Sequence, residues 1–279
     1  MIFDTHAHYD DRQFDEDRDE LLLSLKAHGI SCLVDVGASL ESTRQAVQLA
    51  DKYPFIYCAA GVHPSETAEL NEENFEGLCK LISNGKITNK KTAEEFSGSS
   101  QNKIVAVGEI GLDYYWNEPD AQIQEKWFKK QLELAIKEEL PVIIHSRDAA
   151  ADTLNIIQQY YDMARQQQKN LGGVIHCFSY SWEMAEKYID MGFYLGIGGV
   201  VTFKNAKKVK EVVYNMPLDK LVIETDCPYL SPEPFRGTRN SSKNLVHVVK
   251  YISELRNIST EELEKITFEN SLKLYGIKQ

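Results

Sequence analysis

The stretch Ile2-Phe3-Asp4-Thr5-His6-Ala7-His8 decides how the rest of the chain reads. Two apolar residues open a strand, and the turn that follows carries two histidines. A doubly wound α/β sheet usually places a glycine-rich phosphate loop after its first strand. Imidazoles at that position point to the competing parallel architecture, an α/β TIM (β/α)8 barrel. The pattern repeats outward. Phe55 to Val62 leads into His63, Lys103 to Gly108 into Glu109, Pro141 to Ile144 into His145, Gly172 to Ile175 into His176, and Leu221 to Thr225 into Asp226. Parallel β/α proteins gather strand C-termini on one face, where such folds carry out their chemistry. Imidazoles and carboxylates collected there form the ligand set of a divalent metal site at the C-terminal rim of the strands.

Between these runs strand and helix signals alternate. Strands are predicted at 2–5, 31–36, 55–60, 104–107, 142–144, 174–175, 193–197 and 221–224. Helices are predicted over 19–28, 39–53, 74–83, 121–139, 149–166, 182–191, 206–213, 243–256 and 260–275. Gly29 would end the first helix, and Ser39 could cap the second. The chain has 279 residues, a length that fits one barrel, so 1–279 is read as a single domain. The polar, Lys/Ser/Gly/Asn-rich stretch at about 84–102 lacks apolar periodicity and reads as a surface insertion.

Composition bounds the function. Hydrophobic residues make up 43% and charged residues 26% of the chain, ordinary for a soluble domain. The formal net charge of −11 argues against tight, sequence-independent nucleic-acid binding, which relies on basic surface. It leaves phosphate substrates open, because bound divalent ions make a pocket locally positive. Five scattered cysteines without a CxxC pair read as reduced thiols of a cytoplasmic protein. Cys177 and Cys227 read as small core residues. No leader, membrane span or obligate protein partner is evident. The sequence lacks a G-x-S-x-G elbow and both Walker and dinucleotide glycine patterns.

Residues two apart in a strand point the same way, so His6 and His8 can reach one ion. A carboxylate at Glu109 can bridge two cations. His145 and His176 end successive strands and suit a second ion. Asp226 ends the strand that closes against the first, so it can join the His6/His8 ion while touching the attacking water. Glu224 is an auxiliary of uncertain role. His63 reads as phosphate-facing or as a hydrogen-bonded turn histidine. Arg147 reads as a bidentate phosphate contact or as a structural salt bridge. Asp113, Tyr114, Arg236 and Arg239 are weaker candidates on adjacent loops, and Tyr114 is retained with His63 and Arg147 for substrate binding. His28 and His247 fall within helices and read as surface or packing residues.

With these residues in view, the chain closely resembles the TatD family of metal-dependent deoxyribonucleases. The matching runs are DTHAHYD at 4–10, GVHP at 61–64, GEIGLDYY at 108–115, PVIIHSRDA at 141–149, HCFS at 176–179, ETDCPYL at 224–230 and RGTRN at 236–240. The resemblance implies a TIM-barrel hydrolase of the amidohydrolase-like group, using two divalent ions (Zn, Mn, Mg, Fe or Ni). It implies His6, His8, Glu109 and Asp226 as ligands of one ion, and Glu109, His145 and His176 as ligands of the other. It further implies hydrolysis of DNA as a transient substrate, single-stranded or at 3′ ends, in the 3′–5′ direction, with Asp226 and Glu109 catalytic. Departures are few. Tyr9 stands where leucine is more usual, Tyr180 replaces a common glycine, Cys227 replaces a common alanine or serine, and Ser241-Ser242 replace a common Glu-Pro. Two other readings stay open: an amidohydrolase-like enzyme acting on a C–N bond or phosphotriester, and a non-catalytic metal-binding barrel.

Overall fold

Residues 1–86, 103–116 and 118–278 are described in a computed structural model of the chain. The strands are β1 (Ile2–Ala7), β2 (Ile30–Val36), β3 (Ile56–Ala60), β4 (Ile104–Asp113), β5 (Val142–Arg147), β6 (Gly173–Ile175), β7 (Tyr194–Ile197) and β8 (Leu221–Ile223). The helices are α1 (Arg18–Ser24), α2 (Leu40–Lys52), α3 (Glu72–Gly85), α4 (Ala121–Glu138), α5 (Ala150–Gln166), α6 (Trp182–Asp190), α7 (Lys207–Asn215), α8 (Leu245–Arg256) and α9 (Thr260–Leu274). The strands form an 8-stranded sheet in sequence order. β8 runs back to β1 through a parallel bridge between Ala7 and Cys227, with His8 N donating to Cys227 O at 2.8 Å. This is the (β/α)8 barrel that the alternating pattern predicted.

The chain divides into two compact units, Met1–Asp35 with His176–Leu274, and Val36–Ile175 with Tyr275–Gln279. In the first, β1 is buried along its whole length, and Phe3 packs on Phe268 of α9 with ring centroids 6.0 Å apart. Gly29 takes the left-handed conformation (φ 81°) expected of a helix stop, after a 3-10 turn that continues α1. In the second unit, Ser39 caps α2 by accepting the Ser42 N–H, as its sequence position suggested. The core of this unit includes Val105, Val107, Leu112, Phe128, Leu132, Ile143 and Ile144, all fully buried.

β4 is the main departure from the expected strand lengths. In sequence the run Ile110 to Tyr114 after Glu109 is turn-like, yet the strand continues to Asp113 and every residue in it is buried. Ile110, Gly111, Leu112 and Asp113 pair with Ile144, His145, Ser146 and Arg147 of β5, after a register shift between Val107 and Ile110. Glu109 and His145 therefore sit inside strands rather than at their ends. The glycines serve close packing: a Cβ on Gly111 (φ +146°) would lie 1.9 Å from the His145 carbonyl oxygen. Gly111→Ala should destabilise the fold by about 3–5 kcal/mol, combining backbone strain with overpacking. An unchanged urea midpoint would refute this.

At the opposite end of β4, Lys103 is buried, and its ammonium donates to four carbonyls: Ala50 (2.6 Å), Tyr53 (2.7 Å), Pro54 (3.3 Å) and Ile56 (3.1 Å). Of the expected insertion, Asn84 and Gly85 belong to α3, and Lys86 bridges to Ile104 while pairing with Glu138 at 3.0 Å. The remainder, 87–102, lies outside the described residues.

Candidate metal centre

In the first unit, β1 presents His6 from its buried face and His8 from the residue after its end. Their Nε2 atoms face each other at 3.0 Å. Asp226 Oδ1 lies 3.7 Å from His6 Nε2 and 3.4 Å from His8 Nε2. At 3.0 Å the two ring nitrogens cannot both carry a proton toward each other, so at least one presents a lone pair beside the carboxylate. That donor chemistry fits a divalent cation. Burial alone would raise the Asp226 carboxyl, but the His8 hydrogen bond and the positive potential of His176, His6 and His8 hold it below the ordinary range.

Asp226 sits three residues past β8, in the left-handed region (φ 57°). Its N–H donates to His6 O and its carbonyl accepts from Tyr229 N, both at 2.9 Å. Asn240 of the RGTRN run pins the same loop, its Nδ2 donating to Thr225 O (3.0 Å) and Tyr229 O (2.8 Å). Arg239, a weaker loop candidate from sequence, grips both oxygens of Asp17 at 2.8 and 2.5 Å. Arg236 lies over the Phe203 ring at 4.4 Å.

His176 stacks on His6 with centroids 4.1 Å apart, and its Nδ1 lies 3.6 Å from Glu224 Oε1. Glu224 is buried and also accepts the Cys177 N–H. A Cβ on Gly196 would fall 2.1 Å from Glu224 Oε2, so the bare glycine makes room for that carboxylate. Cys177 is part-exposed with φ 46°, not the core residue expected, whereas Cys227 is fully buried as read. Beneath these groups, Asp4 accepts from Thr225 N (3.0 Å), Thr225 Oγ1 (2.6 Å) and Ser242 Oγ (2.6 Å). Burial pushes its carboxyl up to about 7 against those hydrogen bonds. Tyr9 and Ser242, two of the unusual residues, meet here: Tyr9 OH donates to Ser242 Oγ and accepts Ser242 N–H, each at 2.9 Å.

In the second unit, β4 and β5 bring Glu109, Asp113 and His145 together. His145 Nδ1 lies 2.8 Å from Glu109 Oε1, and its Nε2 lies 3.1 Å from Asp113 Oδ2. With an ion bound, a ring that donates Nε2–H to Asp113 would have its Nδ1 lone pair free for the metal on the Glu109 side, the arrangement by which a carboxylate orients a metal-binding imidazole. Burial tends to raise Asp113, but the hydrogen bond and charge of His145, the Tyr115 N–H and His63 bring it below the usual value. His63 Nε2 lies 3.7 Å from Glu109 Oε1. Its Nδ1 accepts the Ser65 N–H at 3.2 Å, which puts the neutral ring's proton on Nε2 and makes that edge a donor rather than a ligand. His63, Asp113 and His145 offer atoms within 4.8 Å of one another, as do His6, His8 and Asp226. Tyr114 hydrogen-bonds Asp152 at 3.2 Å. Arg147 forms no salt bridge among the described residues, and its guanidinium lies 3.8 Å over the Tyr115 ring. His28 is exposed, and the part-exposed His247 packs on Phe235 with centroids 5.2 Å apart, a surface and a packing residue respectively.

Two residues escaped the sequence reading. Gln124 and Gln131 of α4 are fully buried on the face that carries Phe128 and Leu132. Gln124 binds Asp113 N and Asp113 O, both at 2.8 Å, and Gln131 binds Val62 N (2.8 Å) and Val62 O (3.1 Å). One helix thus fixes the end of β4 and the His63 loop. The signal was two glutamines seven apart on an otherwise apolar stripe. Asp113→Asn should weaken Zn²⁺ or Mn²⁺ affinity about 10–100-fold by releasing His145. Calorimetric titration giving parental affinity would remove that role.

The model of the family described as TatD related DNase matches residues 3–276. The chain belongs to the TatD related DNase family. As a TatD-family protein it is a metal-dependent hydrolase acting on ester bonds. It is 40% identical over 277 residues to YabD of Bacillus subtilis, named as an uncharacterized metal-dependent hydrolase, covering 99% of this chain and 100% of that one. It is 31% identical over 281 residues to a Citrobacter koseri protein named 3′-5′ ssDNA/RNA exonuclease TatD, covering 99% of each. The crystal structure of YjjV, a TatD homologue from Escherichia coli, superposes with a TM-score of 0.85 at 29% identity, covering 99% of this chain and 98% of that one. No helix among the described residues is long and apolar enough to cross a membrane.

Proposed function

We propose that this TatD-family chain acts as a single hydrolase domain that cleaves phosphodiester bonds of DNA, on single strands or 3′ ends, from 3′ to 5′, with two divalent ions. The observation that carries the reading is the convergence of His6 Nε2, His8 Nε2 and Asp226 Oδ1 on one point. In the assignment implied by the family resemblance, His6, His8, Glu109 and Asp226 hold one ion, and Glu109, His145 and His176 the other. Bound ions would supply Lewis-acid activation of water and positive charge on the phosphate.

The chain's own groups carry the remaining steps. Asp226, kept ionised by its histidine neighbours, aligns the attacking water and takes its proton. His63 donates its Nε2–H toward a phosphate oxygen as charge builds there. The Arg147 guanidinium lies over Tyr115, and its N–H edges are available to a second phosphate oxygen. Tyr114 borders the strand path. Asp113 and Glu224 orient His145 and His176.

Relatives that cleave C–N bonds or phosphotriesters often bridge their ions with a carbamylated lysine. Lys103, the buried lysine among the described residues, has its ammonium committed to four carbonyls. The carboxylate of Glu109 favours the nuclease reading instead. Digestion of 3′- and 5′-labelled oligonucleotides with Mg²⁺, Mn²⁺ or Zn²⁺, beside a phosphotriester and a cyclic amide, tests it. Stepwise shortening from the 3′ end is expected, and turnover confined to the amide or triester would overturn it.

A further inference from the structure

We propose that Tyr115, Trp116 and Arg147 form a stacking platform for an unpaired nucleobase of the substrate strand, an inference that rests on the phosphodiesterase reading. β4 ends at Asp113, the carboxylate that holds His145, and the chain then leaves the barrel through Tyr114, Tyr115 and Trp116. This turn is fixed. Tyr114 N donates to Arg147 O at 2.9 Å and Tyr115 N to Asp113 Oδ1 at 3.0 Å. Tyr114 itself donates its hydroxyl to Asp152 at 3.2 Å.

The next two rings stay in solvent: Tyr115 is 53% and Trp116 66% exposed. Single exposed aromatics need no explanation, but these two adjoin, with centroids 4.9 Å apart and an interplanar angle of 89°. Arg147, two residues beyond His145, lies 3.8 Å over the Tyr115 ring and 6.0 Å from that of Trp116. A guanidinium stacked in this way keeps its N–H edges for phosphate while strengthening a π surface. Two aromatic rings and a cation free of ion pairs therefore stand directly beside the Asp113–His145 pair.

The charge of the molecule favours a base as occupant. At net −11 the chain cannot hold a strand chiefly by displacing counterions. Stacking supplies grip without a basic groove, and it tolerates sequence because every base has a π face. Bases inside a duplex are already stacked and would gain nothing. The platform thus accounts for a single-strand preference through side chains outside the metal-ligand set.

The test is fluorescence anisotropy in EDTA, which stops turnover, with a labelled oligothymidylate and an abasic strand of equal length. The parent should bind the base-bearing strand about tenfold to a hundredfold more tightly than the abasic one. Trp116→Ala and Tyr115→Ala/Trp116→Ala should bring that ratio close to one, while Trp116→Phe, which keeps a ring, should retain most of it. A parent that binds both strands alike, or an alanine variant that discriminates as well as the parent, overturns the platform. Cleavage of the abasic strand with metal restored reads the hydrolytic site separately. Base discrimination without any cleavage would uphold the platform while sinking the phosphodiesterase reading.

Discussion

Asp226→Ala removes hydrolysis, lowering kcat by about a thousandfold or more while the barrel stays folded. Three consequences combine in one side chain. The carboxylate lies within 3.7 Å of His6 Nε2 and 3.4 Å of His8 Nε2, so its loss breaks the converging donor set. It is held ionised by those histidines and His176, so it is ready to accept a proton at neutral pH. It is also part-exposed, so truncation opens no sealed core cavity. Asp226→Asn preserves volume and should lose nearly as much activity, because an amide neither accepts the proton nor supplies charge. Because the folded-state pKa of Asp226 is depressed, its contribution to stability is present above the ordinary carboxylate value and disappears as pH falls through the lowered one. Activity should accordingly be lost on the acid side as this group protonates. Retained kcat in Asp226→Ala, with an unchanged melting profile, would refute the assignment.

Removing metal should have a comparable effect. Dialysis against a strong chelator is expected to reduce hydrolysis to background, and a single divalent ion in excess should restore it. Elemental analysis of the reconstituted protein should approach two ions per chain. Binding to the folded state alone also stabilises it, by about 2.7 kcal/mol at a hundredfold excess over Kd. The melting temperature should therefore climb with ion concentration and fall on chelation, a readout independent of turnover. Full activity in a preparation shown to be metal-free would end the two-ion proposal.

Much of the barrel was legible because strand runs and helix punctuation are local signals. Ser39 caps α2 and Gly29 stops the first helical segment because hydroxyl capping and a left-handed glycine act within a few residues. The lengths of β4 and β5 were not legible. Gly111 falls in a turn-like run, but it is glycine because a neighbouring strand passes too close for a side chain: a Cβ there would lie 1.9 Å from the His145 carbonyl oxygen, as one on Gly108 would lie 2.6 Å from Ile143 Cβ. That constraint is tertiary and leaves no local mark. The histidines and carboxylates were readable one by one, whereas their orienting partners depended on packing. Asp113 was ranked among weak loop candidates and proved to hold His145. Arg239 reads in sequence as one more weak loop candidate, and it ties down Asp17. Gln124 and Gln131 were simply counted into a helix.

The contact between Tyr9 and Ser242 ties together two positions where this chain departs from the usual family residues, leucine and proline. A leucine has no hydroxyl to receive the Ser242 amide, and a proline has no amide to give. Changing either position alone strands a buried polar partner at a cost of about 1–3 kcal/mol, and changing both removes that donor and acceptor together while taking the Ser242 hydroxyl from Asp4. A return to the common pair therefore has to pass through a less stable intermediate, whichever residue changes first.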